Sequence, residues 1–555
     1  MADIQLAPGA READIVAAIN ALPNGGTIIL PKNATISITT GLTISVASRD
    51  ITIDLNGSTL RQDANVSVIT GRGKHPTPDA VSLGQDASGN TTLTYSGTVP
   101  DVSFGSWMKV VSDDPLPGDH LDGSQPTRMG QAMEVLSVEG NTVTLRGALI
   151  DRAQYATNVR AVEYESGQLI VKNGEIVGDQ GQGGRTAPVV QFRNTVDAQV
   201  ENVFIHDASG TGIGVVDAVN TQITDVVVKN LTDVSGALGV GVHSLSSLGT
   251  TVKGLYAENV THATDDNSVD SPANSSSVTY YGGDIGMHVM DSVAYATRNF
   301  AYSWHSEAVN GRFEHVMAFN SHGFLMARGI GGEMSDSGGA GNQRGIAFYQ
   351  WGNGDGRDIT VDNVTLKETQ YYSTTAINNP QDNQIIDSWF ESYSYTAPLD
   401  PQYATTTNTA YVRTSSATLN DTITGTAADE LLFGAKGDDL ISGGGGNDYI
   451  WGGEGIDTLT GGGGRDRFAF HAIWETGDTI TDFQGGAFGD VIDLSVIAAR
   501  YDWLSSLDLF ANGYVWFLQD GADVCVQVDP DGGGAEFVDL TRLSNVNASS
   551  LGAAN

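Results

Sequence analysis

Apolar residues fall at helical spacing in residues 11–22 (READIVAAINAL), where Ile15, Ala18, Ile19 and Leu22 share one face. Asn24-Gly25-Gly26 breaks that pattern, and short runs of alternating apolar and polar residues follow: TIILP, TISITT, LTISV and DITIDLNGSTL. A short amphipathic helix ahead of many brief strands predicts a parallel β-helix with a covered N-terminal end. An open stack would expose strand edges and the mouth of its core.

A polar residue followed by an aliphatic one recurs at Asn202-Val203, Asn230-Leu231, Asn259-Val260, His288-Val289 and His315-Val316, spaced by 28, 29, 29 and 27 residues. Asn363-Val364 lies 48 residues further on, about two shorter rungs. Stacked β-helix turns take roughly 20–30 residues and repeat a polar corner. Residues 25–395 therefore read as a right-handed parallel β-helix; a β-sandwich or barrel gives no reason for such a corner.

A tighter period occupies the C-terminal part. GAKGDDLIS, GGGGNDYIW, GGEGIDTLT and GGGGRDRFA start at Gly434, Gly443, Gly452 and Gly461, each with Asp sixth and an apolar residue eighth. The carboxylates are Asp439, Asp448, Asp457 and Asp466, and a fainter copy ending DTIT adds Asp421. Glycines allow tight turns that aim carbonyls and carboxylates at a cation between stacked turns, and an all-oxygen set suits Ca²⁺. Ile441, Ile450, Leu459 and Phe468 are expected to fill the core of the resulting β-roll. A Gly-rich linker would not keep Asp and an apolar residue in phase.

These blocks resemble the RTX family over about residues 416–470, and DTITDFQGGAFGDVIDLS (478–495) looks like the segment that follows such repeats in secreted proteases and alginate epimerases. The resemblance implies a roll that folds on calcium outside the cell, and export by a type I secretion system through an uncleaved C-terminal signal. The β-helix part resembles the pectate-lyase-like superfamily over roughly residues 10–395. The two together are similar in architecture to mannuronan C5-epimerases and RTX-bearing exopolysaccharide-degrading enzymes. The epimerases' YG-x-DPH run is absent; DHLDG at 119–123 and YGGD at 281–284 are poor substitutes. The organisation expected is a β-helix catalytic domain over 1–400, a linker over 401–415, the calcium roll over 416–470, and a roll cap with secretion signal region over 471–555.

Composition narrows the function classes. A net charge of −38 argues against nucleic acid, and part of it is calcium ligand. The opening MADIQLAPGA has neither a basic nor an apolar signal region, no segment reads as a membrane helix, and the single Cys525 excludes an internal disulfide. The repeats nevertheless place the chain outside the cell, with no membrane insertion, as an expected monomer. HExxH and GxSxG are absent, which sets aside zinc proteases and Ser hydrolases.

Six of the ten histidines fall within residues 243–322. Counting from the corners puts His243, His305 and Arg328 on one sheet face, on rungs about 4.8 Å apart. Residues 261–284 are expected to leave the helix as a loop carrying Asp265, Asp266, Asp270, Tyr280 and Tyr281, and polar residues 71–131 to form an opposite wall. This set suits β-elimination on a uronate polymer. Arg328 would neutralise the substrate carboxylate, His305 would take the C5 proton with His243 as second donor or base, and Tyr281 or Tyr302 would protonate the leaving oxygen. Trp304, Tyr280, Tyr349, Trp351 and Arg312 are candidate substrate contacts, with Arg298, Arg312, Arg328 and Arg344 attracting an anionic chain. Three rivals remain: a glycoside hydrolase using Asp265 and Asp266, a C5-epimerase, and a non-catalytic polysaccharide-binding matrix protein.

Overall fold

The computed structural model describes residues 2–117, 127–178, 186–235, 237–268, 277–348, 356–373, 382–392, 404–407, 409–413, 420–501, 503, 509–532 and 536–552. Its first part is the parallel β-helix, with the cap helix at Glu12–Asn20 burying Ile15, Ala18 and Ile19 over the first rungs. One continuous parallel sheet bends around two sides, and a ten-stranded parallel sheet forms the third. Along the latter run Leu42–Ser45, Ile69–Arg72, Val190–Arg193, Ile213–Val216, Val240–Leu245, His262–Asn267, Phe300–Trp304, Gly323–Ala327, Arg344–Phe348 and Tyr371–Ser373. Val, Ile and Leu from every side meet in one continuous core.

The polar corners are real, but there are two of them. Asn173, Asn202, Asp225, Asp291, His315, Asp336, Asn363 and Asp387 occupy one, all with left-handed backbone. Asp207, Asn230, Asn259 and Asn320 occupy the other. Amides bond along each stack: Asn202 Nδ2 donates to Asn173 Oδ1 at 3.2 Å, and Asn259 Nδ2 to Asn230 Oδ1 at 3.0 Å. The 28-residue spacing thus steps between two ladders, and His288 belongs to neither. It starts the strand His288–Tyr295, whose corner is Asp291.

The described residues of the polar stretch read as an irregular wall form regular strands. Six antiparallel strands close a barrel in the order Asp79–Gln85, Thr91–Tyr95, Thr142–Leu145, Arg128–Glu139, Trp107–Pro115 and Arg160–Glu163. Leu93, Met108, Val110, Met133, Val135 and Val143 fill it. Closure leaves no edge strand to pair wrongly. At its neck Lys74 and Glu165 exchange both backbone hydrogen bonds at 2.9 Å, and their side chains pair at 2.9 Å. Asp217 of the β-helix locks the barrel on. It accepts from Lys109 Nζ (2.7 Å), Tyr164 Oη (2.7 Å) and Asn194 Nδ2 (2.7 Å), and pairs with His75 Nε2 (2.9 Å).

The C-terminal roll stacks Thr422–Thr424, Leu440–Gly445, Thr458–Gly463 and Asp478–Ile480 in one sheet and Leu431–Lys436, Tyr449–Glu454, Arg467–Ala469 and Val491–Asp493 in the other. Ile441, Ile450, Leu459 and Phe468 are all fully buried between them. The roll docks side-on against the β-helix: Tyr256, Tyr295, Met317 and Phe319 meet Phe433, Trp451 and Val496, with the Phe319 and Trp451 rings 4.9 Å apart. No helix among the described residues is long and apolar enough to cross a membrane.

Candidate functional site

Strand alternation sorts the ten-stranded sheet into an inward and an outward set. Outward, His243, Asp265 and Ser303 stand in register on three successive strands. His305 and Arg328 follow one outward step further along: Trp304 pairs with Ala327, and Arg328 N donates to Trp304 O at 3.0 Å. His243 therefore occupies the column beside that of His305 and Arg328, not the same one. Asp265 bridges the two columns, with Oδ2 3.6 Å from His243 Nε2 and Oδ1 3.3 Å from His305 Nε2. Burial opposes ionisation of Asp265, but His305, His262 and His243 outweigh it and hold the carboxyl well below the usual range. The imidazoles keep side-chain exposures of 22% and 18%, while His243 Nε2 and His305 Nδ1 are themselves buried.

The segment that supplies Asp265 does not leave the helix. His262–Asn267 is a full strand of the sheet, because Ala263 and Thr264 continue its packing. Asp266 shares the inward face with Ser244 and Trp304, and its carboxyl accepts from His305 N at 2.9 Å. Asp284 meets it there, accepting from Ser244 Oγ (2.6 Å) and Ser247 N (3.2 Å). Burial and mutual repulsion push Asp266 well up, and burial pushes Asp284 up to about 7. The pairing of Asp265 and Asp266 as two carboxyls across one glycosidic bond is thereby corrected, since they face opposite sides of one sheet.

Several further expectations change for the same reason, burial. Tyr302 is in the core, its Oη donating to Ser292 O and Met317 O at 3.1 and 3.0 Å. Trp304 stacks on Phe313 at 4.5 Å inside the helix and presents no sugar platform. Tyr281 is fully buried where the barrel meets the helix. Arg128 Nη1 donates to its Oη at 2.7 Å, and Arg128 and Arg160 lie over its ring at 5.5 and 5.6 Å. Neither tyrosine can reach a leaving group. Arg312 lies on the other sheet, near Glu314 and Glu333, and Arg298 is spent on Leu231 O, Asn259 O and Asp233, so the four arginines do not gather. Tyr280 is half-buried beneath Arg193, on the same sheet face several rungs away. Asp270, Tyr349, Trp351 and the DHLDG run lie outside the described residues.

The barrel supplies a wall that the sequence reading placed only loosely. Thr127 Oγ1 lies 3.2 Å from Ser268 Oγ, one residue past Asn267, whose column is that of His305. Ser246 Oγ, after the neighbouring strand, donates to Gly282 O at 2.6 Å, and Gly282 N to Arg128 O at 2.7 Å. The outward face is thus bounded along the ends of the strands that carry His305 and Arg328.

In the roll, Asp439, Asp448, Asp457 and Asp466 are buried at the strand starts, and each Oδ1 accepts the backbone N–H of the residue 18 positions earlier. Each Oδ2 is buried without a hydrogen-bond partner. A Cβ on Gly434 would meet Asp439 Oδ2 and Gly452 O, both at 2.3 Å; one on Gly443 would meet Asp448 Oδ2 at 2.2 Å and Gly461 O at 2.6 Å. Carboxylate and carbonyl oxygens thus converge at a crevice only glycine leaves open, a donor set for a hard cation. Burial raises these carboxyls, Asp448 and Asp457 to about 6, as expected of groups built to face positive charge. Residues 424–459 and 442–470 match the RTX calcium-binding nonapeptide repeat family, with four copies. The C-terminal blocks are RTX repeats, and they bind calcium. Asp421 departs from the set, because its Oδ2 accepts from Lys367 Nζ.

No curated protein matches the chain. Among solved structures, the tailspike protein gp49 from Pseudomonas phage LKA1 is similar at 14% identity over 85% of this chain and 74% of its own, with a TM-score of 0.47. An alginate lyase from Paenibacillus sp. is 12% identical over 74% of this chain and 97% of its own, with a TM-score of 0.34. The AlgE6R3 subunit of the Azotobacter vinelandii mannuronan C5-epimerase is 27% identical over 25% of this chain and 78% of its own, with a TM-score of 0.20.

Proposed function

We propose that this chain is a secreted, calcium-dependent polysaccharide lyase acting by β-elimination on a uronate-containing exopolysaccharide. The observation that carries this reading is Asp265 held between His305 and His243 on the outward face of the sheet, with the largely buried Arg328 in register beside His305. An ionised carboxylate fixes the imidazole's orientation and offsets the charge that it acquires as a base.

In this reading Arg328 neutralises the substrate carboxylate, so that charge developing on the enolate is balanced. His305 takes the C5 proton, the C4–O4 bond breaks as the C4–C5 double bond forms, and His243 returns a proton to the departing oxygen. With Tyr281 and Tyr302 buried, His243 is the donor that the face offers. Calcium acts in the roll, held by Asp439, Asp448, Asp457 and Asp466, and contributes structure rather than chemistry. The RTX repeats support export by type I secretion and use outside the cell.

The test is a panel of acidic polysaccharides incubated with enzyme in calcium, following ultraviolet absorbance of the unsaturated product together with reducing ends. Both signals rising supports the lyase. Reducing ends alone mean hydrolysis, and neither signal across the panel sinks the cleavage reading and leaves epimerisation or binding.

A further inference from the structure

The cation crevices of the roll follow a simple rule of spacing. A carboxylate oxygen converges with the carbonyl of the glycine 13 residues later: Glu430 with Gly443, Asp439 with Gly452, and Asp448 with Gly461. The first member of the series is Asp421 with Gly434. That pair already has a cation. Lys367, from the β-helix strand Thr360–Thr369, donates from Nζ to Asp421 Oδ2 and to Gly434 O, the latter at 2.7 Å. Its side chain is only 3% exposed, so the ammonium is enclosed by the joint between β-helix and roll.

We infer that the Lys367 ammonium holds the first cation position of this row in place of calcium. A buried ammonium needs an anionic partner and carbonyl acceptors, and this position supplies both. A calcium ion there would have to displace it or share the same two oxygens at close range. On this side of the roll, where successive positions lie 18 residues apart, calcium loading therefore starts at Asp439 with Gly452. The first turn, Thr422–Thr424 with Leu431–Lys436, is instead clamped to the β-helix by the chain's own charge, and Phe433 packs beside it against Phe319. This rests on the roll and the β-helix strand docked against it, and is independent of the lyase reading.

Two measurements on the full-length protein test it. Calcium bound per chain is counted by equilibrium dialysis with elemental analysis. Asp421→Asn is expected to bind as many ions as wild type, whereas Asp439→Asn binds at least one fewer. Equal loss in both variants would overturn the proposal. The second measurement counts calcium in Lys367→Met in the same way. With the ammonium gone, Asp421 Oδ2 and Gly434 O are open to an ion, and one more calcium per chain than wild type is expected. A count no higher than wild type would be equally fatal to the proposal.

Discussion

Asp265 and Asp266 are neighbours in the chain yet lie on opposite faces of one sheet, the first turned to His243 and His305 and the second to Ser244 and the core. Their substitutions should separate cleanly. Asp265→Asn is expected to lower kcat by roughly 10²–10⁴-fold at temperatures where the variant is still fully folded, since it removes the charge that supports a base. Equal loss of stability and activity would assign Asp265 a structural role only.

The buried carboxyls Asp266 and Asp284 give stability a pH dependence of known sign. Asp284 is raised to about 7 in the fold against roughly 3.9 in the unfolded chain. A raised acid contributes stability that is fully present below the unfolded value and is lost as pH rises through the folded one. With calcium saturating, the melting temperature should fall between about pH 4 and about pH 8, and Asp284→Asn should flatten that slope. A slope unchanged in the variant would place its origin elsewhere.

Trp304 offers a check on the corrected substrate surface. Its indole stacks on Phe313 in the core, so Trp304→Ala should cost about 3–5 kcal/mol in denaturant unfolding. Arg312→Ala, on the other sheet, should leave both kcat and KM close to wild type. A large rise in KM for Arg312→Ala would return it to the substrate groove.

Lys109 and Asp217 hold the barrel to the β-helix through a contact with almost no exposure. Removing one partner leaves the other charge buried, and Asp217→Ala is expected to cost about 3–5 kcal/mol. Lys109→Met combined with Asp217→Leu should recover part of that loss. Urea unfolding of Lys109→Met, Asp217→Leu and their double variant measures it, and additive losses would deny the coupling.

What could be read from the chain follows from how strictly each element repeats. Ile441, Ile450, Leu459 and Phe468 were legible because nine-residue turns tolerate no slippage, and all four are buried where the phase puts them. The β-helix was legible as a class, but its rungs vary in length, so asparagines of two corners mimicked one ladder and His288 was drawn in. The same variation hid the registration of Asp265 between His243 and His305, which depends on three unequal rungs. The barrel did carry a signal in the alternation of Met108 and Val110 and of Met133 and Val135. Charged and turn-forming residues between those runs masked it. Nothing in the sequence pairs Lys367 with Asp421, 54 residues away, because that contact arises from docking of two finished domains.

The clasp between Lys74 and Glu165 brings the two ends of the barrel insert side by side on the β-helix. An insert whose ends meet is topologically a single long loop, so its gain or loss leaves the winding of the helix beneath it unaltered. Evolution can therefore exchange this wall as a cassette, trading the contour of the groove while the histidine-bearing sheet stays as it is.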